Sequence, residues 1–164
     1  MPTGVGINNV RRKMKRLPLT PHVGIGPIKL GAARSVIRAE MASAGLPLES
    51  ARESMDYFGS ASVQVEYEED GTASFIGVSS DPDLELFYDG IDLFDVEAKK
   101  AFELLASRDG SGSHEYSESE YLFPSQIITL YEADAQYDRK REETRSVWGQ
   151  IGCGDTRYLK AVQK

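Results

Sequence analysis

The sequence contains few residues that bind metals or form disulfides, with one cysteine and two histidines among 164 residues. Cys153 cannot form an intramolecular disulfide, which agrees with a reducing compartment. It has no second cysteine at the spacing of a zinc site, and His22 and His114 lie in a proline-containing segment and a polar loop. We therefore expect neither a metal site nor a cofactor.

Long apolar runs are missing as well. No stretch approaches the roughly 18 consecutive apolar residues that a membrane-spanning helix needs. The N-terminus has neither the apolar core nor the small-residue cleavage site of a secretion signal. A cytoplasmic protein without a membrane partner is therefore expected.

The glycine-rich stretch VGIGPIKLG, residues 23–31, lacks the features of a phosphate-binding loop. Such a loop ends in a lysine followed by serine or threonine, whereas Lys29 is followed by Leu30. The glycine spacing also differs from the dinucleotide-binding fingerprint. Gly26 and Gly31 are better explained as a strand boundary and a tight turn, so nucleotide binding is not expected.

The net negative charge is unevenly distributed along the chain. Residues 1–22 contain five basic residues and no acid, so the net charge of −7 leaves −12 for the remaining 142 residues. A body this acidic repels nucleic acid and favours a basic protein partner, although the charge also serves solubility alone. Residues 1–22 are interpreted as a basic flexible tail and linker, because Pro18 and Pro21 favour extended backbone.

Hydrophobic periodicity predicts one α+β domain over residues 23–164, built as an antiparallel sheet with two helices. The first helix ends at Gly45, ahead of Pro47, with Arg34, Arg38 and Glu40 on its outer face. Its predicted inner face comprises Ala33, Val36, Ile37, Met41 and Ala44. Alternating residues at 63–67 and 73–78, joined by the turn residues 69–71, predict an antiparallel hairpin.

The second half of the chain shows a similar order of strand, helix and strands. Asp95 is placed to cap a helix whose inner face comprises Ala98, Ala101, Phe102 and Leu105. Further strands are predicted at 84–88, 126–131, 145–151 and 157–162. Residues 108–120 are predicted as a polar loop, and the strongly charged residues 132–144 as a long turn or an exposed hairpin tip. The similarity suggests tandem, pseudo-duplicated units with halves at 23–83 and 84–164.

Acidic residues alternate with aromatic ones in two segments, which is typical of a protein interface. Rings supply buried anchors and carboxylates attract a basic partner. For Phe87 and Phe94, burial in the core is the competing explanation. The candidate partner-binding residues are Asp81, Asp83, Glu85, Tyr88, Asp89, Asp92, Tyr116, Glu118, Glu120 and Tyr121.

A small cysteine-dependent enzyme is an alternative. Cys153 would be the nucleophile, His114 its base and Asp155 the group that orients the histidine. Nothing in the sequence brings these three residues together. The competing explanation is a small buried thiol within the glycine turn GCG.

The order of motifs resembles that of small bacterial proteins encoded beside polymorphic or contact-dependent toxins and considered immunity proteins. The resemblance covers most of residues 23–162 and is carried by the segments GIGPIKLG, YEEDGTASFIGV, YDGIDLF, FPSQIITLYEAD and RSVWGQIGCGDTRYL. It implies a cytoplasmic, non-catalytic protein that binds and neutralises one cognate toxin. It assigns no functional residue. A regulatory or secretion-associated adaptor, docked through the basic tail, is the other alternative.

Overall fold

The computed structural model describes residues 15–137 and 144–163, and within them the chain has an α+β fold with mostly antiparallel sheets. The described part contains twelve strands and three helices. In chain order they are β1 (Lys15–Thr20), β2 (Gly24–Ile25), β3 (Ile28–Lys29), α1 (Arg34–Ser43), β4 (Leu48–Arg52), β5 (Met55–Phe58), β6 (Val63–Tyr67), β7 (Ala73–Ser79), β8 (Leu84–Tyr88), β9 (Ile91–Asp92), α2 (Ala98–Arg108), β10 (Glu120–Phe123), β11 (Ile128–Tyr137), β12 (Thr144–Gly154) and α3 (Thr156–Val162).

A seven-stranded antiparallel sheet has the order β10-β11-β12-β7-β6-β5-β4. It contains the predicted hairpin of β6 and β7, which pair from Val63↔Val78 to Tyr67↔Ala73. The Asp70 carboxylate accepts the Thr72 N–H at 2.9 Å, and Gly71 adopts a φ of +81°, which closes the turn. The hairpin prediction is therefore confirmed. The charged segment 132–144 partly continues β11, and residues 138–143 lie outside the described residues.

A five-stranded sheet has the order β3-β2-β1-β8-β9 and contains a parallel pair, β1 with β8. Its central strand, β1, covers residues that the sequence analysis assigns to the tail and linker. Leu17 and Leu19 are buried while the residues between and after them are exposed, so β1 has the alternation of a half-buried strand. Residues 15–20 therefore belong to the folded core. Proline favours extended backbone, which occurs in strands as well as in linkers, so Pro18 and Pro21 do not distinguish the two.

The two predicted helices are present, with differences at their boundaries. In α2 all four predicted inner residues are buried, and Trp148 of β12 donates its indole N–H to the Ala98 carbonyl at 2.9 Å. Asp95 does not cap this helix, because the N-cap is Glu97 and has no side-chain hydrogen bond. In α1 only Ile37 and Met41 are buried, and Val36 is 51 % exposed. Helix α1 thus presents a narrower apolar face than its sequence suggests.

The segment 157–162, predicted as a strand, forms α3 instead. Asp155 precedes it and its carboxylate accepts the backbone N–H groups of Arg157 and Tyr158, which is the geometry of a helix N-cap. The apolar residues of this segment match the spacing of a helix as well as that of a strand, and the cap at Asp155 favours the helix. The predicted number of helices, two, is therefore wrong, because α3 is a third. The tandem arrangement stays a prediction. Strands β4, β5 and β10 have no counterpart in the predicted elements.

The core is continuous across both sheets and the inner faces of α1 and α2. Among its largest fully buried side chains are Trp148, Phe58 and Phe123. None of the helices in the described ranges has the length and apolar character that crossing a membrane requires.

Candidate protein-binding surface

Two of the predicted interface residues, Asp81 and Asp83, line one open cavity of about 370 Å³. The cavity lies between the C-terminal end of α1 and the start of β8, and its wall also includes Lys15, Glu49 and Ser60. Asp81 accepts the Ser62 hydroxyl and, at 2.7 Å, the Asp83 N–H. These bonds hold the loop before β8 in a fixed shape.

Glu85 and Asp89 are at the surface and are paired with basic residues. Arg16 Nε donates to Glu85 at 3.1 Å, and Arg108 forms an ion pair with Asp89. The Arg16 guanidinium also lies 4.8 Å from the centre of the Phe87 ring. The positive charge of these neighbours reduces the attraction of both carboxylates for a basic partner.

Tyr88 and Asp92 are internal residues, contrary to the expectation that they contact a partner. Tyr88 is buried and its hydroxyl is bonded to Gln126. Asp92 is buried and accepts the N–H groups of Leu86 at 3.2 Å and Phe94 at 3.1 Å. Both side chains pack inside the protein, because β9 folds back on β8 and directs them inward.

The loop at 108–120 is packed through its own side chains, although it has no regular structure. Tyr116 and Tyr121 meet the ring of Phe102 edge-on, at centroid distances of 5.4 and 4.8 Å. His114 is almost fully buried and its Nδ1 lies 2.7 Å from the Tyr121 hydroxyl. Its Nε2 is 3.3 Å from the Asp109 carboxylate, without the alignment of a hydrogen bond. This segment therefore packs against the core, although its sequence is mostly polar.

Glu118 and Glu120 remain exposed, and Glu120 borders a surface groove of about 410 Å³. We call it the α3 groove. Tyr131, opposite Glu120 in the β10–β11 register, is 50 % exposed, and Val162 is 49 % exposed. The groove thus combines apolar surface, a ring and a carboxylate. It is lined by Glu120, Tyr121, Leu122, Thr129, Tyr158 and Val162.

Two glycines of β12 allow α3 to approach the sheet. Tyr158 of α3 stacks on Phe75 of β7, with ring centroids 4.4 Å apart and planes 23° from parallel. A methyl group at Gly154 would lie 2.6 Å from Tyr158 Cδ2, and one at Gly152 would lie 2.5 Å from Phe75 Cζ. The GCG motif therefore provides room for the ring stack that forms the groove wall.

We expect Gly154→Ala to weaken the docking of α3. The added methyl group must displace the Tyr158 ring, which should lower the free energy of unfolding by about 1–3 kcal/mol. Chemical denaturation measures this change, and hydrogen exchange of the α3 amides localises it. Gly110→Ala is the control, because a methyl group there meets nothing within 4 Å. Equal stability of the two variants would contradict this account.

Two carboxylates, Glu66 and Glu120, act on Tyr158. Burial raises the pKa of Tyr158, and the nearby charges of Glu66 and Glu120 raise it further. Burial raises the pKa of Glu66. A hydrogen bond from Gln64 opposes this shift, and the charge of Glu68 adds to it. The charges of Glu66 and Glu120 thus both act on the Tyr158 hydroxyl.

A second group of charged residues, missed in the sequence analysis, holds α1 against the seven-stranded sheet. Asp56 is buried and accepts bonds from Arg34 at 2.8 Å, from Arg38 at 2.7 Å and from the Tyr67 hydroxyl at 3.0 Å. Arg34 also donates to the Glu53 carbonyl at 2.7 Å. The spacing of four residues between two arginines is the sequence signal, because it puts both on one helix face. The cluster joins α1 to β5 and β6, so we assign it a role in packing.

The arrangement around Cys153 gives no support to a cysteine nucleophile. Cys153 is fully buried within β12, and burial raises the pKa of its thiol to about 12. Asp155 caps α3 and binds Arg157 at 2.7 Å, and the ring nitrogens of His114 lie by Tyr121 and Asp109. In residues 15–137 and 144–163, no group of His, Cys, Asp and Glu is arranged to hold a metal ion.

Cys153 should be unreactive in the native protein. With a pKa of about 12, the thiol is protonated at neutral pH, and its burial blocks access by a reagent. A colorimetric thiol reagent at pH 7.5 should detect no thiol in the native chain and one thiol after unfolding, since Cys153 is the single cysteine. Rapid reaction of the thiol in the native protein would instead support Cys153 as a nucleophile.

Comparison of the chain with protein-family models, with curated proteins and with solved structures gives no match.

Proposed function

We propose that this protein is an immunity-type protein that binds a basic cognate toxin through its acidic, ring-containing surface and thereby neutralises it. The observation that carries the proposal is the α3 groove. The exposed Val162 lines the groove together with Glu120, and the exposed Tyr131 lies beside it, opposite Glu120 in the β10–β11 register. Glu118 lies just ahead of β10. Exposed apolar residues beside carboxylates are what a protein partner with basic residues requires.

Attraction and anchoring would come from different residues of this surface. The acidic body, at −12 over residues 23–164, attracts a positively charged partner over a distance of about one Debye length. Tyr131 and Val162 then lose their contact with water and provide the apolar part of the interface. The charges should therefore set the association rate, and the apolar residues the dissociation rate.

The test is co-expression with the protein encoded by the preceding gene. We expect that protein to arrest growth when it is produced alone, and the full-length chain to bind it and restore growth. A neighbour that is harmless, or whose toxicity persists although the chain is present, would contradict the proposal.

Groove variants show whether the surface described here is responsible. Tyr131→Ala combined with Val162→Ala should accelerate dissociation about tenfold or more, as expected for apolar anchors. The matched control is Val23→Ala with Val36→Ala, which removes exposed apolar side chains elsewhere. An equal effect of both pairs would exclude the α3 groove as the main contact.

The rate of association should fall as ionic strength rises. Screening shortens the range of the attraction, so surface-binding kinetics between about 0.05 and 0.5 M salt should show a slower association with a nearly constant dissociation rate. Glu118→Gln with Glu120→Gln should reduce this salt dependence more than Glu97→Gln with Glu103→Gln on the exposed side of α2. An association rate that is insensitive to salt would contradict electrostatic attraction.

A further inference from the structure

Strand β10 is an edge strand whose outer side is unpaired within the described ranges. It stands first in the order of the seven-stranded sheet and pairs with β11 alone. The other backbone bond to β10 comes from the turn that follows, where the Ile127 N–H donates to the Phe123 carbonyl at 2.8 Å. An edge of this kind presents N–H and C=O groups in the arrangement that a further strand would complete.

The ladder also indicates which residues face outward. The carbonyls of Ser119 and Phe123 accept N–H groups from Glu132 and Ile127, at 2.6 and 2.8 Å. Backbone groups of successive residues alternate between the two sides of an antiparallel strand, so the odd-numbered residues face β11. The N–H and C=O groups of Glu120 and Leu122 therefore point away from the sheet.

The same two residues direct their side chains into the α3 groove. Glu120, Tyr121 and Leu122 all line the groove, but the ring of Tyr121, like that of Phe123, contacts Phe102 of α2. The side chains of Glu120 and Leu122 alternate with these rings along the strand and therefore lie on the opposite face. A strand added beyond β10 would thus place every second side chain next to Glu120 or Leu122. Side chains that lie opposite each other on paired strands interact directly. A basic side chain is therefore favoured beside Glu120, and an apolar one beside Leu122.

The remaining edges are less suited to pairing. Strand β4 is interrupted by a bulge between Leu48 and Ser50 and carries the charged residues Glu49 and Arg52. Bulges and charges are features that protect an edge strand from further pairing. Strands β3 and β9, at the edges of the five-stranded sheet, have two residues each. Strand β10 has four residues in an unbroken register with β11 and adjoins the α3 groove, so it is the edge best suited to pairing.

We propose that an extended segment of a protein partner adds to β10 as a further strand, with a basic residue beside Glu120 and, two residues along, an apolar residue beside Leu122. The inference rests on the proposed function, whose interface it specifies. Main-chain hydrogen bonds to Glu120 and Leu122 would provide affinity. The alternation of basic and apolar side chains would provide specificity.

Synthetic peptides test the proposal without the natural partner. The probe is an extended peptide of about eight residues in which lysine and valine alternate on one face and threonine occupies the other, a pattern that suits strand pairing. One control replaces lysine with glutamate. The other keeps all side chains but carries N-methyl groups on alternate backbone nitrogens, which removes the donors that strand addition needs. Titration calorimetry gives the affinities, and hydrogen exchange reports on the amides of Glu120 and Leu122.

We expect the lysine peptide to bind and to protect the Glu120 and Leu122 amides, and each control to bind about tenfold more weakly. Glu120→Lys should reverse the preference between the lysine and glutamate peptides, and Glu103→Lys on α2 should leave it unchanged. Absence of binding by the lysine peptide, or equal binding after N-methylation, would overturn strand addition at β10. Because growth protection by the full-length chain is measured separately, that result would leave the proposed function standing.

Discussion

Removal of residues 1–22 is expected to abolish cooperative folding, whereas removal of residues 1–14 should be far less damaging. The longer deletion takes away β1, the central strand of the five-stranded sheet, and with it the parallel pairing to β8. It also exposes the core surface that Leu17 and Leu19 cover. Thermal unfolding followed by circular dichroism distinguishes the two deletions.

Point variants within β1 provide the finer test. Leu17→Ala and Leu19→Ala should each lower the free energy of unfolding by about 2–5 kcal/mol, the range for a buried leucine. Thr20→Ala is the control in the same strand, because Thr20 is exposed. If the leucine variants are as stable as the control, residues 15–20 do not belong to the core.

This result also determines how the adaptor alternative is tested. Deleting all of residues 1–22 would confuse loss of the basic tail with loss of β1. Deleting residues 1–14 removes Arg11, Arg12 and Lys13 and retains β1. Neutralisation of a toxin should survive that shorter deletion, whereas an adaptor docked through its tail should lose its partner.

Asp56→Ala is expected to cost about 3–5 kcal/mol of unfolding free energy. The variant removes the shared acceptor of Arg34, Arg38 and the Tyr67 hydroxyl. Removal of one member of a buried ion cluster is costly because the opposite charges lose their partner. Glu103→Ala is the control, since Glu103 is an exposed carboxylate on α2. Chemical denaturation at neutral pH measures both variants.

Asp56 also makes stability depend on pH in the acid range. Burial alone would raise the pKa of Asp56, but bonds from Arg38 and Arg34 outweigh it and lower the pKa to about 2. A lowered pKa stabilises the fold at pH values above the ordinary value of 3.8, and this contribution is lost as pH falls towards 2. The wild-type protein should lose about 2 kcal/mol between pH 5 and 2 that Asp56→Ala does not lose. Parallel stability curves for the two proteins would contradict the ion cluster.

The candidate surface was only partly predictable from the sequence. Glu118 and Glu120 are exposed, as expected for carboxylates. Four of the candidate partner-binding residues, Asp81, Asp83, Glu120 and Tyr121, line a cavity or groove. Burial of Tyr88 and Asp92 could not be foreseen, because it depends on β9 folding back on β8. Tyr131, Tyr158 and Val162 were missed because a groove between a strand and a helix has no pattern in one stretch of chain.

Local chemistry within the sequence determined the hairpin of β6 and β7, the inner face of α2 and the excess of negative charge. Each depends on neighbours within a few residues, where side-chain periodicity and turn residues act directly. Tertiary structure alone decided that residues 15–20 are core, that Asp56 binds two arginines of α1, and that Tyr158 meets Phe75. These contacts join residues far apart in the chain, and their free energy comes from burial and pairing that a single segment cannot provide.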